Sequence, residues 1–266
     1  MENEKYWDIS MDAIARYTPY ATAEFAVRAF IISHEKRMMA QMLEWTKHEN
    51  EHIRRLASEG CRPALPWGQA LTKYKKDPTP VLLILEKLKA DPSPYVRKSV
   101  ANNLNDISKT CPDLVVKLAK EWYGENEYTN WIVKHGCRTL LKNGNRDALE
   151  IFGYNDIDSI EVKKFALNTT STIIGGDIRF SFEIHAREAT KIRLEYGIVY
   201  VKANHKRSRK IFKISETRMA VDQKKLYTRK HAFKDLSTRK HYPGSHSITL
   251  IVNGVEQGTL DFEVKC

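Results

Sequence analysis

Between Ile53 and Trp67 the chain sets a carboxylate, a guanidinium and an indole close together. Ile53, Leu56 and Ala57 fall on one side of a helix and Arg54 and Arg55 on the other. Glu59 then lies in the last helical turn, and Gly60 fits the left-handed position just past it. Arg62 follows, and Pro63 and Pro66 forbid a restart before Trp67. A carboxylate can orient or deprotonate water or stabilise growing positive charge, and an aromatic wall can contact an electron-poor group. The stretch alone leaves a plainer account open. Glu59 can pair with Arg55 one turn earlier, for a few tenths of a kcal/mol, and an indole after a proline can be a packed loop residue.

The elements that must hold these groups are helices. Apolar positions recur at helical spacing in Phe25, Val27, Phe30 and Ile31, in Met38, Met39, Met42, Leu43 and Trp45, in Val81, Leu82, Leu85 and Leu88, and in Leu114, Val115 and Leu118. Asp77-Pro78, Asp91-Pro92 and Cys111-Pro112 mark helix starts or the turns before them. Asn50-Glu51-His52-Ile53-Arg54-Arg55 returns 43 residues on as Ser93-Pro94-Tyr95-Val96-Arg97-Lys98. A weaker copy, Trp131-Ile132-Val133-Lys134-His135, follows 37 residues later. A period near 40 is that of HEAT-like helical hairpins, which stack into a curved solenoid with a concave face. Arg54, Arg97 and Lys134 would then form a ladder of cations for an anionic ligand, or else support the next repeat structurally. Trp131 and Tyr95 read as core or ridge residues.

Composition describes a globular chain, 42% hydrophobic and 29% charged among 266 residues. Residues 1–153 hold 23 Lys/Arg against 20 Asp/Glu, and residues 154–266 hold 21 against 13. Residues 202–240 alone carry 14 basic and 3 acidic side chains. No amphipathic apolar face accompanies them, so the expected partner is nucleic acid rather than membrane. Cys61, Cys111, Cys137 and Cys266 are scattered, which argues against zinc or a disulfide framework and fits a reducing cytoplasm. The N-terminus is polar and no apolar run reaches transmembrane length.

Past the polar joint Asn155-Asp156-Ile157-Asp158 the period changes to two. Ile178, Phe180, Phe182 and Ile184 form one strand face, and Ile192, Leu194, Tyr196 and Ile198 another. Further strands are expected at 160–168, 209–215, 225–233, 246–252 and 258–264, with Asn253-Gly254 at a hairpin turn. Seven short strands in about 110 residues suggest an immunoglobulin-like β-sandwich. The domains are then 1–154, an α-solenoid of HEAT-like repeats, and 155–266, the sandwich. The basic runs Asn204-His205-Lys206-Arg207-Ser208-Arg209-Lys210, Thr228-Arg229-Lys230-His231 and Thr238-Arg239-Lys240-His241 are expected mostly in loops, where they could grip phosphates.

Three segments together carry a specific resemblance: Thr22-Ala23-Glu24-Phe25-Ala26-Val27-Arg28, Arg54 to Trp67, and Ser99-Val100-Ala101-Asn102-Asn103-Leu104-Asn105-Asp106-Ile107-Ser108-Lys109. In order and separation they resemble the AlkC branch of the DNA alkylation repair glycosylases over roughly residues 10–153, and the sandwich resembles the domain found on a subset of that branch. The family carries further helical repeats ahead of Thr22, where this chain has only about 20 residues, so a solenoid short at that end is expected. Ala29 stands where the family tends to have proline.

The resemblance implies a HEAT-like glycosylase that removes 3-methyladenine and 3-methylcytosine from double-stranded DNA without full base flipping. It implies no metal or organic cofactor, a monomer, and a bacterial cytoplasm with nucleoid association through DNA. Glu24, Glu59 and Asp106 would be the carboxylates near the lesion, with Trp67 and Arg62 shaping the site around the deoxyribose. Arg55, Arg54, Arg97, Lys134, Lys206, Arg207, Arg209 and Lys210 would bind DNA. Ring alkylation leaves the base cationic, so the enzyme needs negative charge beside an oxocarbenium-like sugar more than it needs a general acid. The alternatives are a non-catalytic HEAT-repeat DNA-binding protein and a protein-binding scaffold.

Overall fold

The structure is a computed structural model that describes residues 6–154, 157–237 and 240–266. Asn155 and Asp156 of the expected joint, and Thr238 and Arg239 of the last basic run, lie outside the described residues. The chain divides into two compact units, Met1–Leu141 and Lys142–Cys266.

The first unit is helical. Its elements are α1 (Trp7–Tyr17), α2 (Ala26–Ser33), α3 (Glu35–Trp45), α4 (Glu51–Gly60), α5 (Thr72–Lys76), α6 (Thr79–Leu88), α7 (Pro94–Ile107), α8 (Pro112–Trp122), α9 (Glu127–Gly136) and α10 (Arg138–Lys142). Three helices start in the same way. The side chains of Asn50, Ser93 and Asn126 accept hydrogen bonds from the backbone N–H groups of His52, Tyr95 and Thr129, which caps α4, α7 and α9. These are the second helices of successive hairpins, and α7 packs between the other two. Their inward sides bury Ile53 and Leu56, Val96 and Val100, and Ile132 and Val133.

The caps set the repeat register, and they correct the phase of the third copy. Arg54 and Arg97 each lie four residues past their cap, and the residue in that place on α9 is Asn130. Lys134 sits one turn later. The phase was obscured because Thr129, which is fully buried, occupies the place held by Ile53 and Val96.

Among the described residues of the second unit, α11 (Arg146–Ile151) precedes eight strands: β1 (Ile160–Leu167), β2 (Ser171–Ile173), β3 (Asp177–Ala186), β4 (Thr190–Val201), β5 (Arg207–Met219), β6 (Lys224–Ala232), β7 (Gly244–Val252) and β8 (Val255–Lys265). They form a three-stranded sheet, β1-β3-β6, and a five-stranded sheet, β2-β8-β7-β4-β5. The alternating Ile178–Ile184 and Ile192–Ile198 sets meet in the core between them. Asn253 and Gly254 both adopt positive φ, at 46° and 78°, and close β7 onto β8.

Two strand expectations are corrected. The eighth strand, β2, is three residues long and pairs parallel to β8. The basic residues lie on edge strands more than in loops. Arg207, Arg209 and Lys210 belong to β5, and Thr228 to His231 belong to β6, leaving Lys206 in the β4–β5 hairpin. Lysine and arginine on an edge strand mask its alternation and also discourage edge-to-edge pairing.

Candidate active site

Helix α4 delivers Glu59 on its last turn, and the chain then bends so that Arg62 turns back beneath it. Arg62 Nη1 donates to Glu59 Oε1 at 2.6 Å. Its Nε and Nη2 reach Asp106 Oδ2, on α7, at 2.9 and 2.8 Å. Arg55 Nη1 meets Glu24 Oε2 at 3.0 Å, and Arg55 Nη2 lies 3.6 Å from Glu59 Oε1. Lys109 Nζ closes the far end on Asp106 Oδ1 at 3.0 Å. The three carboxylates nominated by the sequence are thus brought together in one chain: Glu24, Arg55, Glu59, Arg62, Asp106, Lys109. Three negative charges face three positive ones.

Apart from Lys109, which is exposed at its far end, the network is withdrawn from solvent. Glu59 is 6% exposed and Asp106 is 4% exposed. Burial alone would lower the proton affinity of the Arg62 guanidinium, but the facing carboxylates of Glu59 and Asp106 reverse that and hold it above its ordinary value. Arg62 is therefore charged whenever the site is intact. The plain account of Glu59 as a partner for Arg55 is present as well, at the longer distance. Glu59 has a second tie, since Ser99 Oγ donates to its Oε2 at 2.7 Å and Ser58 Oγ donates to Ser99 Oγ at 2.6 Å. Asn103 Nδ2 donates to the Ser58 carbonyl at 2.8 Å, so the α4–α7 seam is polar along its length.

The loop after α4 is fastened from below by Arg28. It is 1% exposed, and burial holds its guanidinium below the usual value. Its Nη1 donates to the carbonyls of Gly60 and Arg62, both at 3.0 Å, and its Nε donates to that of Gln69 at 2.6 Å. Above that clamp Trp67 is fully exposed, with φ of 60°. Positive φ is an outlier for so bulky a residue and stores strain at this point of the rim. Trp67 is an exposed indole, not a packed loop aromatic. Gly60 is the last residue of α4, with an ordinary φ, which corrects the expected left-handed cap. Glycine is required there by space, because a Cβ would lie 2.5 Å from Val27 Cγ2.

The proposed ladder resolves into internal clamps. Arg54 Nη1 donates to the carbonyls of His48 and Glu49 at 2.9 and 2.7 Å, and its Nε donates to Asp91 Oδ2 at 2.7 Å. Arg97 repeats the device on the carbonyls of Asp91 and Pro92 at 2.9 and 2.7 Å, and its guanidinium lies 4.1 Å from the Tyr128 ring centroid. Both arginines tie down the turn ahead of their own helix. Lys134 is half-buried on α9. Trp131 stacks on His135 at 5.0 Å and leaves 46% of its surface exposed, so it belongs to a surface and not to the core. In the sandwich Lys206, Arg207, Arg209 and Lys210 are exposed, and Arg209 pairs with Glu256.

Arg28, Ser58, Ser99 and Lys109 support the site but were not singled out from the sequence. Arg28 had a signal, as the lone charge in the apolar run of α2. The serines had none.

Residues 5–140 match the family model described as DNA alkylation repair enzyme. Residues 161–266 match the one described as the C-terminal Ig-like domain of the uncharacterised protein YhaZ. The chain is 51% identical over 259 residues to the YhaZ protein of Bacillus subtilis (strain 168), covering 97% of this chain and 72% of that one. It is also similar to a solved structure, the alkylpurine DNA glycosylase AlkC of Pseudomonas fluorescens bound to DNA containing an abasic site analog. That likeness has a TM-score of 0.94 at 38% identity and covers 99% of this chain and 74% of that one. With the family model spanning half of its length and a 51% identical relative matched over 97% of this chain, this chain belongs to the DNA alkylation repair enzyme family.

Proposed function

We propose that this protein is a DNA glycosylase that hydrolyses the N-glycosidic bond of cationic N-alkylated bases in double-stranded DNA. The bases are of the 3-methyladenine and 3-methylcytosine type, and they are excised without full flipping. The observation that carries the reading is the buried chain of Glu24, Glu59 and Asp106, joined by Arg55 and Arg62, at the base of the loop that bears the exposed Trp67. The likeness to a glycosylase bound to abasic-site DNA supports DNA as the partner.

In this reading the glycosidic bond breaks with its electron pair going to the ring nitrogen, which discharges the cationic base. The sugar becomes oxocarbenium-like, and the fixed carboxylates stabilise it. Water adds to the anomeric carbon and loses its proton to a carboxylate, with Glu59 and Asp106 as the principal candidates and Glu24 as their partner. Arg62 holds both of them in place through its hydrogen bonds, while Trp67 contacts the sugar and backbone. Lys206, Arg207, Arg209 and Lys210 add contacts to phosphates, which give salt-dependent affinity with little sequence preference.

The test is incubation with methylated duplex DNA followed by chromatography of the released bases. Glu59→Gln and Asp106→Asn should each slow release by about a hundredfold or more while duplex binding persists. If both release 3-methyladenine at the wild-type rate, the assignment of the site fails. A second reading, a non-catalytic DNA-binding protein, is favoured by one observation: Glu59 and Asp106 each already meet a guanidinium. No methylated base above background with the wild-type chain would select it.

A further inference from the structure

Glu59 is held at both of its oxygens, and the two grips differ in kind. Oε1 faces the guanidinium of Arg62 at 2.6 Å and that of Arg55 at 3.6 Å. Oε2 receives only a neutral donor among the described contacts, the Ser99 hydroxyl at 2.7 Å. Each serine has one hydroxyl hydrogen to give. Since that of Ser99 goes to the carboxylate, the 2.6 Å contact between the serines takes its hydrogen from Ser58. Ser58 has a competing acceptor in the Arg55 carbonyl, at a longer 3.1 Å. Both serines are buried, at 0% and 3% exposure.

The relay has a direction: Ser58 to Ser99 to Glu59 Oε2. A hydroxyl that accepts a hydrogen bond while donating one is polarised toward its acceptor. Arginine alone would leave the carboxylate free to turn about the axis through Oε1, and the serine removes that freedom from the opposite side. Ser99 stands on α7 and Glu59 on α4, so the orientation of the acid is set across the seam between two repeats.

We propose that Ser99, backed by Ser58, is a positioning residue that fixes the plane of the Glu59 carboxylate for the reaction. The inference rests on the reading of Glu59 as a reacting group. Without the hydroxyl, Oε2 is left buried without this donor and the carboxylate loses its defined plane. The site keeps its charges and its DNA contacts, so the rate falls while affinity stays.

The experiment uses the full chain and single-turnover release of 3-methyladenine from methylated duplex at saturating protein. Affinity for a duplex bearing an abasic analogue is measured beside it. Ser99→Ala should lower the rate about tenfold or more with unchanged affinity, which is the loss expected for one hydrogen bond to a charged group. Ser99→Thr, which restores a hydroxyl, should recover most of that rate, and Ser58→Ala should show a few-fold loss in the same direction. A serine that only spaces the helices would instead make rate follow melting temperature across the three variants. The Glu59 carboxylate ¹³C resonance at neutral pH supplies a readout independent of turnover. It should move in Ser99→Ala and return in Ser99→Thr. An unmoved resonance, or wild-type release by Ser99→Ala, overturns the proposal. If the wild-type chain releases no base, the glycosylase reading falls, and the resonance alone decides whether Ser99 holds the carboxylate.

Discussion

Toward α4, helix α7 presents Ser99, Asn103 and Asp106, whereas toward α9 it presents Leu104 and Ala101 against Gly136. One helix thus makes two seams by opposite means. The α7–α9 seam closes by removing a side chain, and the α4–α7 seam is filled with charge. An apolar filling would serve α4–α7 at least as well for stability, because burying an ion pair seldom gains over packed hydrocarbon. The charged seam is therefore the one whose composition stability does not explain, and it is the one that continues into the strained loop carrying Trp67. The difference separates a joint that only holds the repeats together from one that also presents groups.

The comparison breaks most visibly at Asp106. Asp106→Ala leaves Arg62 buried with half of its counter-charge gone, and should lower unfolding free energy by about 3–5 kcal/mol. Chemical denaturation measures it, and a loss near zero would mean the seam relaxes into water. A smaller effect is expected on the other side. At Gly136 a Cβ would lie 2.9 Å from Leu104 Cβ, so Gly136→Ala should cost about 1–3 kcal/mol by the same measurement. If it costs nothing, the α7–α9 seam is looser than its glycine implies.

The smallest effect lies in the sandwich, at a buried histidine. His246 is packed among Phe233, Phe262 and Tyr200. Burial holds its imidazole below the ordinary 6.5, with the Tyr242 carbonyl opposing the shift. The folded state thus binds this proton less readily than the unfolded chain does. Its contribution to stability is complete above about pH 6.5 and is lost as pH falls below that. Thermal unfolding of the strands should show a decline from pH 7.5 to 5.5 that His246→Gln flattens. An unchanged pH dependence in the variant would assign the decline to another group.

What was legible in the sequence follows what repeats or alternates. Asn50 and Ser93, with the aliphatic and arginine behind each, announced the hairpins, and the Phe180 and Leu194 alternations announced the sandwich. The third repeat was misphased because Thr129 satisfies a buried position without looking aliphatic. Strands over 209–215 and 225–233 are legible from their apolar residues, but the basic runs on them look like loop, because charge hides a period of two. The carboxylates became visible only through their joint pattern, since Glu59 and Asp106 are 47 positions apart in the chain and adjacent only through Arg62. Ser58 and Ser99 belong to the same seam, but their role depends on a contact between helices that no local spacing encodes. Arg54 and Arg97 show the converse, a regular cationic spacing whose side chains turn inward to hold turns.

Arg28 fastens the rim through carbonyl oxygens alone. A carbonyl is contributed by any amino acid, whatever its side chain, so this anchorage makes no demand on the identity of the exposed residues it holds. Gln69 is gripped through its main chain while its side chain remains outside, and Ala70 beside it is exposed as well. Mutation can therefore rewrite the outward surface of the loop while its path over the carboxylates stays the same. A lineage could diverge in what this rim recognises without first having to rebuild what holds it.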